Sequence, residues 1–422
     1  MKLVLTLLLA AGTSAYGSTL VVNNNLANTQ SPCNTAAFTT IGAAITAANP
    51  GDTVDVCPGT YPEAVYINKN GIKLNGLTSD NSSLIELEPA TGLSISDPNP
   101  SAESPIENTI LAVVSVSGVE IYNISVNGYM ATTTGGGCAP GNAGIYFLNA
   151  SGSIVDSAVA YIGLNPDGSV TGCQEGLGIF VESYGGTAKV EMNGTSVHDY
   201  DKNGITADGT AATLVATNNA VTGAGPTPAT AQNGIQVSDG AKGTVNNNVV
   251  TGDDYTGDAP GYAYSASGIL LYNLDAHSEI NDNTLSDTNN AIYVYESNDV
   301  TVNGNNISKT IGASALASAL SNGVEFEKNV IARAGLEDDQ PAVYLCSSNN
   351  KVENNTISEA LYGVIDDRTS EDGCSGEKGN TIKLNVYTNV GVDSEIFTDS
   401  PTPEHSLART KQVGMPKAWP MK

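Results

Sequence analysis

Positive charge is scarce in this sequence: 17 Lys and Arg stand against 44 Asp and Glu, for a formal net charge of −27. A field of that sign repels phosphate backbones, which excludes nucleic acid as a partner. It also disfavours a polyanionic glycan unless cations or a local basic patch offset it, whereas neutral glycans and divalent cations meet no such objection. Long apolar runs are missing as well. The run Leu3–Ala11 falls short of the roughly 20 residues that a membrane-crossing helix needs, and no later stretch is longer. The mature chain is therefore expected to carry no transmembrane segment. No two cysteines have the Cys-x-x-Cys spacing of zinc or thiol-redox sites, which sets that chemistry aside.

What is present begins with a leader. Lys2, the apolar stretch Leu3–Ala11 and Ala15-Tyr16-Gly17 before Ser18 read as a secretory signal peptide over residues 1–17,. A single domain is expected over 18–400. Residues 401–422, with four prolines and Trp419, read as a C-terminal tail or a strap packed along the body. The expected product is a secreted or cell-surface monomer. Six cysteines behind a leader favour disulfides. Fifteen pairings are possible, and the simplest joins neighbours in order: Cys33 with Cys57, Cys138 with Cys173, Cys346 with Cys374.

Internal repetition decides the architecture. A Gly-Ile element recurs as Gly144-Ile145-Tyr146-Phe147, Gly178-Ile179-Phe180-Val181, Gly204-Ile205-Thr206-Ala207, Gly234-Ile235-Gln236-Val237 and Gly268-Ile269-Leu270-Leu271. It continues as Ala291-Ile292-Tyr293-Val294, Gly323-Val324-Glu325-Phe326 and Ala342-Val343-Tyr344-Leu345, with a weaker last copy at Gly363. Spacings of about 20 to 34 residues suit the coils of a solenoid. A second strand precedes an asparagine-rich corner, as in Gly243–Asn248 and Ser278–Asn283. A third inward position follows at Val221, Val250, Leu285, Ile307, Ile331 and Ile357. Asparagine suits such corners because it tolerates left-handed backbone and bonds its own chain. In Ile292-Tyr293-Val294-Tyr295, alternation turns the aliphatic residues to one side and the tyrosines to the other. The expectation is an all-β, right-handed parallel β-helix, since a single coil cannot bury its own apolar face.

The segment Phe38–Ala48 has apolar residues at helical spacing and runs into Pro50-Gly51-Asp52-Thr53-Val54-Asp55-Val56-Cys57-Pro58-Gly59-Thr60-Tyr61. An amphipathic α-helix there would serve as an N-terminal cap over the open end of the solenoid. This start resembles the pectin-lyase-like right-handed β-helix superfamily, and residues 113–364 share its repeat style. The resemblance implies the fold and an extracellular polysaccharide as partner. Superfamily members include polysaccharide lyases, hydrolases, esterases and epimerases as well as proteins without catalysis. The site patterns of pectinesterases, alginate epimerases and polygalacturonases have no residue-by-residue counterpart here.

Long excursions at 161–176, 224–232, 253–267, 311–322 and 335–340 leave from one corner of the coil and are expected to wall a groove beside the Gly-Ile strands. One outward row on its floor contains Tyr146, Phe180, Tyr293, Glu325 and Tyr344; a second contains Glu182, Asp208, Tyr272, Tyr295 and Glu327. Tyrosines spaced by one coil can meet successive sugar rings. Glu182 and Asp208, on adjacent coils, could approach the separation of a retaining glycosidase pair; Glu325 and Glu327 make a second candidate. His198, Tyr200 and Lys202 could instead supply the base of a uronate lyase or epimerase. Asp253, Asp254 and Asp258 could hold calcium. A non-enzymatic glycan-binding or structural module is the third reading.

Overall fold

A computed structural model describes residues 17–25, 27–78, 85–88, 108–129, 142–173, 175–257, 265–335, 340–370, 373–374 and 378–398. Residues 1–16, Cys138, Asp258 and the segment 401–422 lie outside the described residues.

The chain winds as a right-handed parallel β-helix. Among the described residues every pairing between strands is parallel, and each strand bonds to its counterpart one coil away, as Leu177–Glu182 does with Asn142–Leu148 before it and Asn203–Asp208 after it. Each full coil contributes three strands. The Gly-Ile strands stack in a floor column that runs from Val65–Ile67 through Asn108–Val114 to the second half of Thr356–Arg368 and on to Val386–Thr398. The second strands form a separate 13-stranded sheet that begins at Thr19–Val22 and ends at Thr381–Lys383. The third strands, among them Ser196–Tyr200 and Ala220–Thr222, stack beside the floor column and join it in a 22-stranded sheet.

Period-two alternation produces one apolar file inside the coils. Ile145, Ile179, Ile205, Ile235, Ile269 and Ile292 are fully buried and belong to a single core running from Val22 to Val364. At about 25 cal/mol per Å² of apolar surface removed from water, that file is the main stabilising term. The glycine of the Gly-Ile element is set by the next coil rather than by its own backbone angles. A Cβ on Gly178 would lie 2.5 Å from the Gly204 carbonyl oxygen and 2.6 Å from Val197 Cγ1. The coils stack too closely there for a side chain.

The asparagine corners divide two tasks between neighbouring residues. Asn247, Asp282 and Asn354 take left-handed backbone, with φ of 58°, 55° and 59°, as the sequence leads one to expect. The next residue in each corner is buried and ties coil to coil instead. Asn248 donates from backbone and side chain to Asn283 Oδ1 (2.9 and 3.0 Å). Asn283 does the same to Asn305, Asn305 to Asn329, and Asn329 to Asn355. The side-chain amides of this ladder thus run through the core paired with one another.

One α-helix, Ile41–Ala47, occurs within the predicted segment, with the Thr40 side chain accepting from the Ala43 amide. Ile41, Ala44 and Ile45 merge with the core. Disulfides join Cys33 to Cys57 and Cys346 to Cys374, with Cα separations of 5.9 and 5.0 Å. Cys173 is also disulfide-bonded.

Candidate functional site

Through the middle of the floor column the outward side is as buried as the inward side. Every residue of Leu177–Glu182, Asn203–Asp208 and Asn233–Ser238 is buried, although alternate side chains point away from the core. The excursions leave between the third column and the floor, as the sequence indicates, and rise beside it. Thr171, in the first of them, donates its hydroxyl to Asp201 Oδ2 at 2.6 Å. In the second, Gln232 donates to the Tyr200 carbonyl at 2.6 Å and accepts from the Ala224 amide. Lys202 donates to the Ala231 carbonyl.

Three zones follow one another along this walled floor. At the early end Ala112, Tyr146, Leu148 and Phe180 form an apolar cluster, with the Tyr146 and Phe180 rings stacked at 5.2 Å. At the late end Leu270, Tyr293, Tyr295, Ala317 and the Cys346–Cys374 disulfide form another, against which Tyr272 and Tyr344 pack. Between them lies a polar zone. Asn203 donates to Thr206 Oγ1 and Gln236 Oε1, Asn233 donates to Asn203 Oδ1, and Gln236 donates to Ser238 Oγ, all within 3.0–3.1 Å. Ser238 donates in turn to Asp208 Oδ2 at 2.7 Å.

Glu182 and Asp208 stand opposite one another in register in this zone, one strand spacing of about 4.8 Å apart along the column. The Tyr146 hydroxyl donates to Glu182 Oε2. Glu182 is 2 % exposed and Asp208 9 %, so Asp208 is the member nearer to solvent. Burial pushes the Asp208 carboxyl up to about 7; the Ser238 hydrogen bond opposes this, and the charges of Asp239 and Glu182 add to it. A carboxyl that keeps its proton to neutrality beside a second carboxylate is the arrangement for passing a proton to an ether oxygen.

The aromatic zone differs from the expected platform. Tyr272 and Tyr295 stack on each other, with ring centroids at 5.9 Å and planes 16° apart. Much of their face area is thereby spent on each other. Tyr293 lies 5.7 Å from Tyr295 at a tilt. The Tyr344 hydroxyl donates to Asp367 Oδ2 at 3.0 Å.

Glu325 and Glu327 do not belong to the floor. Their strand, Glu325–Glu327, sits in the 13-stranded sheet between Val300–Asn303 and Lys351–Glu353, and Glu325 forms an ion pair with Lys351. The floor positions next to Tyr293 and Tyr295 are filled by Ala317 and Ala319 of Leu316–Asn322. The fourth excursion is correspondingly shorter, because residues 316–322 are strand. Sequence reading passed over that strand because Ala-Leu-Ala-Ser-Ala-Leu lacks both the glycine and the β-branched residue of the other copies. The short step from Gly323 to Ala342 was the available signal.

His198, Tyr200 and Lys202 are not brought together. His198 lies outward on the third column, 2.7 Å from Asp199 Oδ2 and edge-on to Tyr161. Tyr200 points inward, fully buried, and donates to Asp253 Oδ1 at 2.6 Å. Lys202 is buried, and desolvation draws its ammonium down to about 8. Asp254 accepts from Asn289 at 2.8 Å. Among the described residues no group of three or more His, Cys, Asp or Glu converges as a metal site.

Comparison with known proteins agrees with the winding. The family model described as "Right handed beta helix region" matches residues 229–389. The GH136 lacto-N-biosidase from Eubacterium ramulus superposes with a TM-score of 0.55 and 12 % identity, covering 88 % of this chain and 68 % of that one. The A-module of the Azotobacter vinelandii mannuronan C-5 epimerase AlgE4 gives 0.51 and 14 %, covering 86 % and 96 %. At these identities the likeness is one of fold. No curated protein matches the sequence.

Proposed function

We propose that this chain is an exported protein that binds a neutral polysaccharide along its floor groove and hydrolyses it with retention, through Glu182 and Asp208. The buried, registered carboxyl pair carries the reading. Its spacing approaches the roughly 5–5.5 Å of retaining glycosidases, and the raised Asp208 supplies a proton donor at neutral pH. The two outward floor rows support a neutral substrate: between the strands Asn203–Asp208 and Asn290–Tyr295 they hold Thr206, Gln236, Leu270 and Tyr293, and Asp208, Ser238, Tyr272 and Tyr295, with no Lys or Arg. A similar glycoside-cleaving neighbour shares the fold. Disulfides favour an oxidising, extracytoplasmic setting. Among the described residues no helix is long and apolar enough to cross a membrane.

In this reading Asp208 gives its proton to the glycosidic oxygen as the bond from that oxygen to the anomeric carbon breaks. Glu182, held by the Tyr146 hydroxyl, attacks the anomeric carbon and forms a glycosyl ester. Asp208, now a carboxylate, takes a proton from water. The water oxygen then displaces Glu182 and restores both groups. Base-catalysed elimination from a uronate fits poorly, because Tyr200 is buried among the coils, Lys202 is held by the Ala231 carbonyl, and the floor strands from Asn203 to Tyr295 carry no Lys or Arg for a uronate carboxylate.

The test is turnover of a panel of neutral polysaccharides, followed by product analysis. New reducing ends without a ring double bond are expected. Glu182→Gln and Asp208→Asn should each lower the rate by at least about 100-fold, the scale of general acid–base contributions, while binding persists. Binding without turnover in the parent chain would make this a glycan-binding module. Unsaturated products would restore the elimination mechanism.

A further inference from the structure

Two consecutive coils of the floor differ from their neighbours in what they bury. Asn203, Thr206 and Asp208 stand in register with Asn233, Gln236 and Ser238, and all six are at most 9 % exposed. One coil earlier the first two positions are Leu177 and Phe180; one coil later the second is Leu270. Apolar residues therefore satisfy the stacking of the coils at these positions. Polar ones carry a desolvation cost that only close pairing offsets.

The pairing has one direction. Asn233 donates to Asn203 Oδ1 and Gln236 Oε1 at 3.1 and 3.2 Å, and Asn203 donates to Gln236 Oε1 at 3.0 Å. With two amide donors on its oxygen, the Gln236 side chain presents Nε2 to Ser238, where it donates at 3.1 Å. The Ser238 hydroxyl, accepting on that side, turns its proton to Asp208 Oδ2 at 2.7 Å rather than to the Ala207 carbonyl at 3.4 Å. The charged groups that face Asp208 are Glu182, on the strand before, and Asp239, just past the strand after. Asn273 holds Asp239 at 2.8 Å, and Tyr272 registers with Ser238. Burial and both neighbouring carboxyls favour the protonated form of Asp208, whereas the Ser238 hydrogen bond favours its carboxylate,.

We propose that Gln236 and Ser238 are positioning residues for Asp208, a donor chain that keeps Oδ2 occupied and leaves Oδ1 to carry the transferred proton. The inference rests on the reading of Asp208 as the proton donor. An enclosed carboxyl beside two others would hold its proton too tightly to give it up near neutrality. The donor chain offsets part of that hold and lets Asp208 serve as acid in one step and base in the next.

The Asp208 titration is readable without turnover, from the carboxylic-acid C=O band in infrared spectra across pH, assigned as the band that Asp208→Asn removes. Ser238→Ala takes the donor from the charged form, so Asp208 should hold its proton about tenfold more tightly. Gln236→Leu should move the midpoint the same way by less, because the Ser238 hydroxyl is then free to turn to Ala207. Ser238→Thr should restore the parent midpoint. Gln236→Leu keeps the test open if Ser238→Ala does not fold. On neutral polysaccharide the alkaline limb of kcat/KM should follow the midpoint in each variant, which a role in packing alone would not produce. A midpoint unmoved by Ser238→Ala and Gln236→Leu overturns the proposal, whether or not the chain cleaves glycan. Midpoints that move as expected in a chain without turnover uphold the donor chain and remove only the hydrolytic reading.

Discussion

Asp253 shows how little the identity of an ionisable residue says about its use. Its carboxyl is wholly enclosed, accepts from Tyr200, and leaves Oδ2 without a partner. A Cβ on Gly223 or Gly234 would come within 2.7 and 2.8 Å of its two oxygens. Burial raises the Asp253 carboxyl well above the usual range, which works against the charged form that a cation would need. Replacing Tyr200 by Phe removes the donor from a buried acceptor and should cost about 1–3 kcal/mol in a urea or thermal unfolding series. Asp253→Asn keeps an acceptor for Tyr200 and removes the ionisation. It should match the parent at acid pH and be the more stable of the two in alkaline solution; lower stability at every pH would contradict a carboxyl raised by burial.

At the scale of the strand and corner, the apolar rhythm was legible because it answers to one requirement, stacking inside a narrow column. The Gly-Ile copies, the third-strand positions and the shared corner of the excursions could all be read before the fold. Asp287 with Lys309, and Glu359 with Arg333, meet across coils at 2.6 and 3.9 Å. Glu325 was misplaced because a charged outward residue in one sheet looks the same in sequence as in another. The ladder role of Asn248, Asn283 and Asn305 was hidden for a related reason, since only the left-handed member of each corner carries a local signature. Asn305→Ala strips Asn283 of the acceptor for its backbone and side-chain amides and should destabilise the chain by about 2–4 kcal/mol. Asn298→Ala, on the exposed rim, should stay within about 0.5 kcal/mol. Equal effects in thermal unfolding would remove the ladder's special standing.

For the whole molecule, pH dependence follows from the buried carboxyls. Asp201 is pushed up to about 6 and Asp208 to about 7, in both cases chiefly by burial. Raised carboxyls bind protons more tightly in the folded chain than in the unfolded one. Their contribution to stability is complete below about 4 and is lost as pH rises through 6 and 7. Lys202, drawn down to about 8, acts the other way, but only above that value. The melting temperature should therefore fall between pH 5 and pH 7.5, and the fall should be shallower in Asp208→Asn. The formal charge of −27 adds self-repulsion over the same interval, which salt relieves, so the salt-insensitive part of the slope belongs to the buried groups.

The walled floor gives that same Asp208 proton a use, since a carboxyl kept neutral beside Glu182 can protonate a leaving group. The most direct measurement is the release of reducing ends from neutral polysaccharides by the parent chain and by Asp208→Asn, followed across pH. Cleavage by the parent, declining as Asp208 ionises near pH 7 and lost in the variant while glycan binding remains, is the outcome this account requires. Cleavage that proceeds unchanged in Asp208→Asn would place the chemistry elsewhere on the molecule.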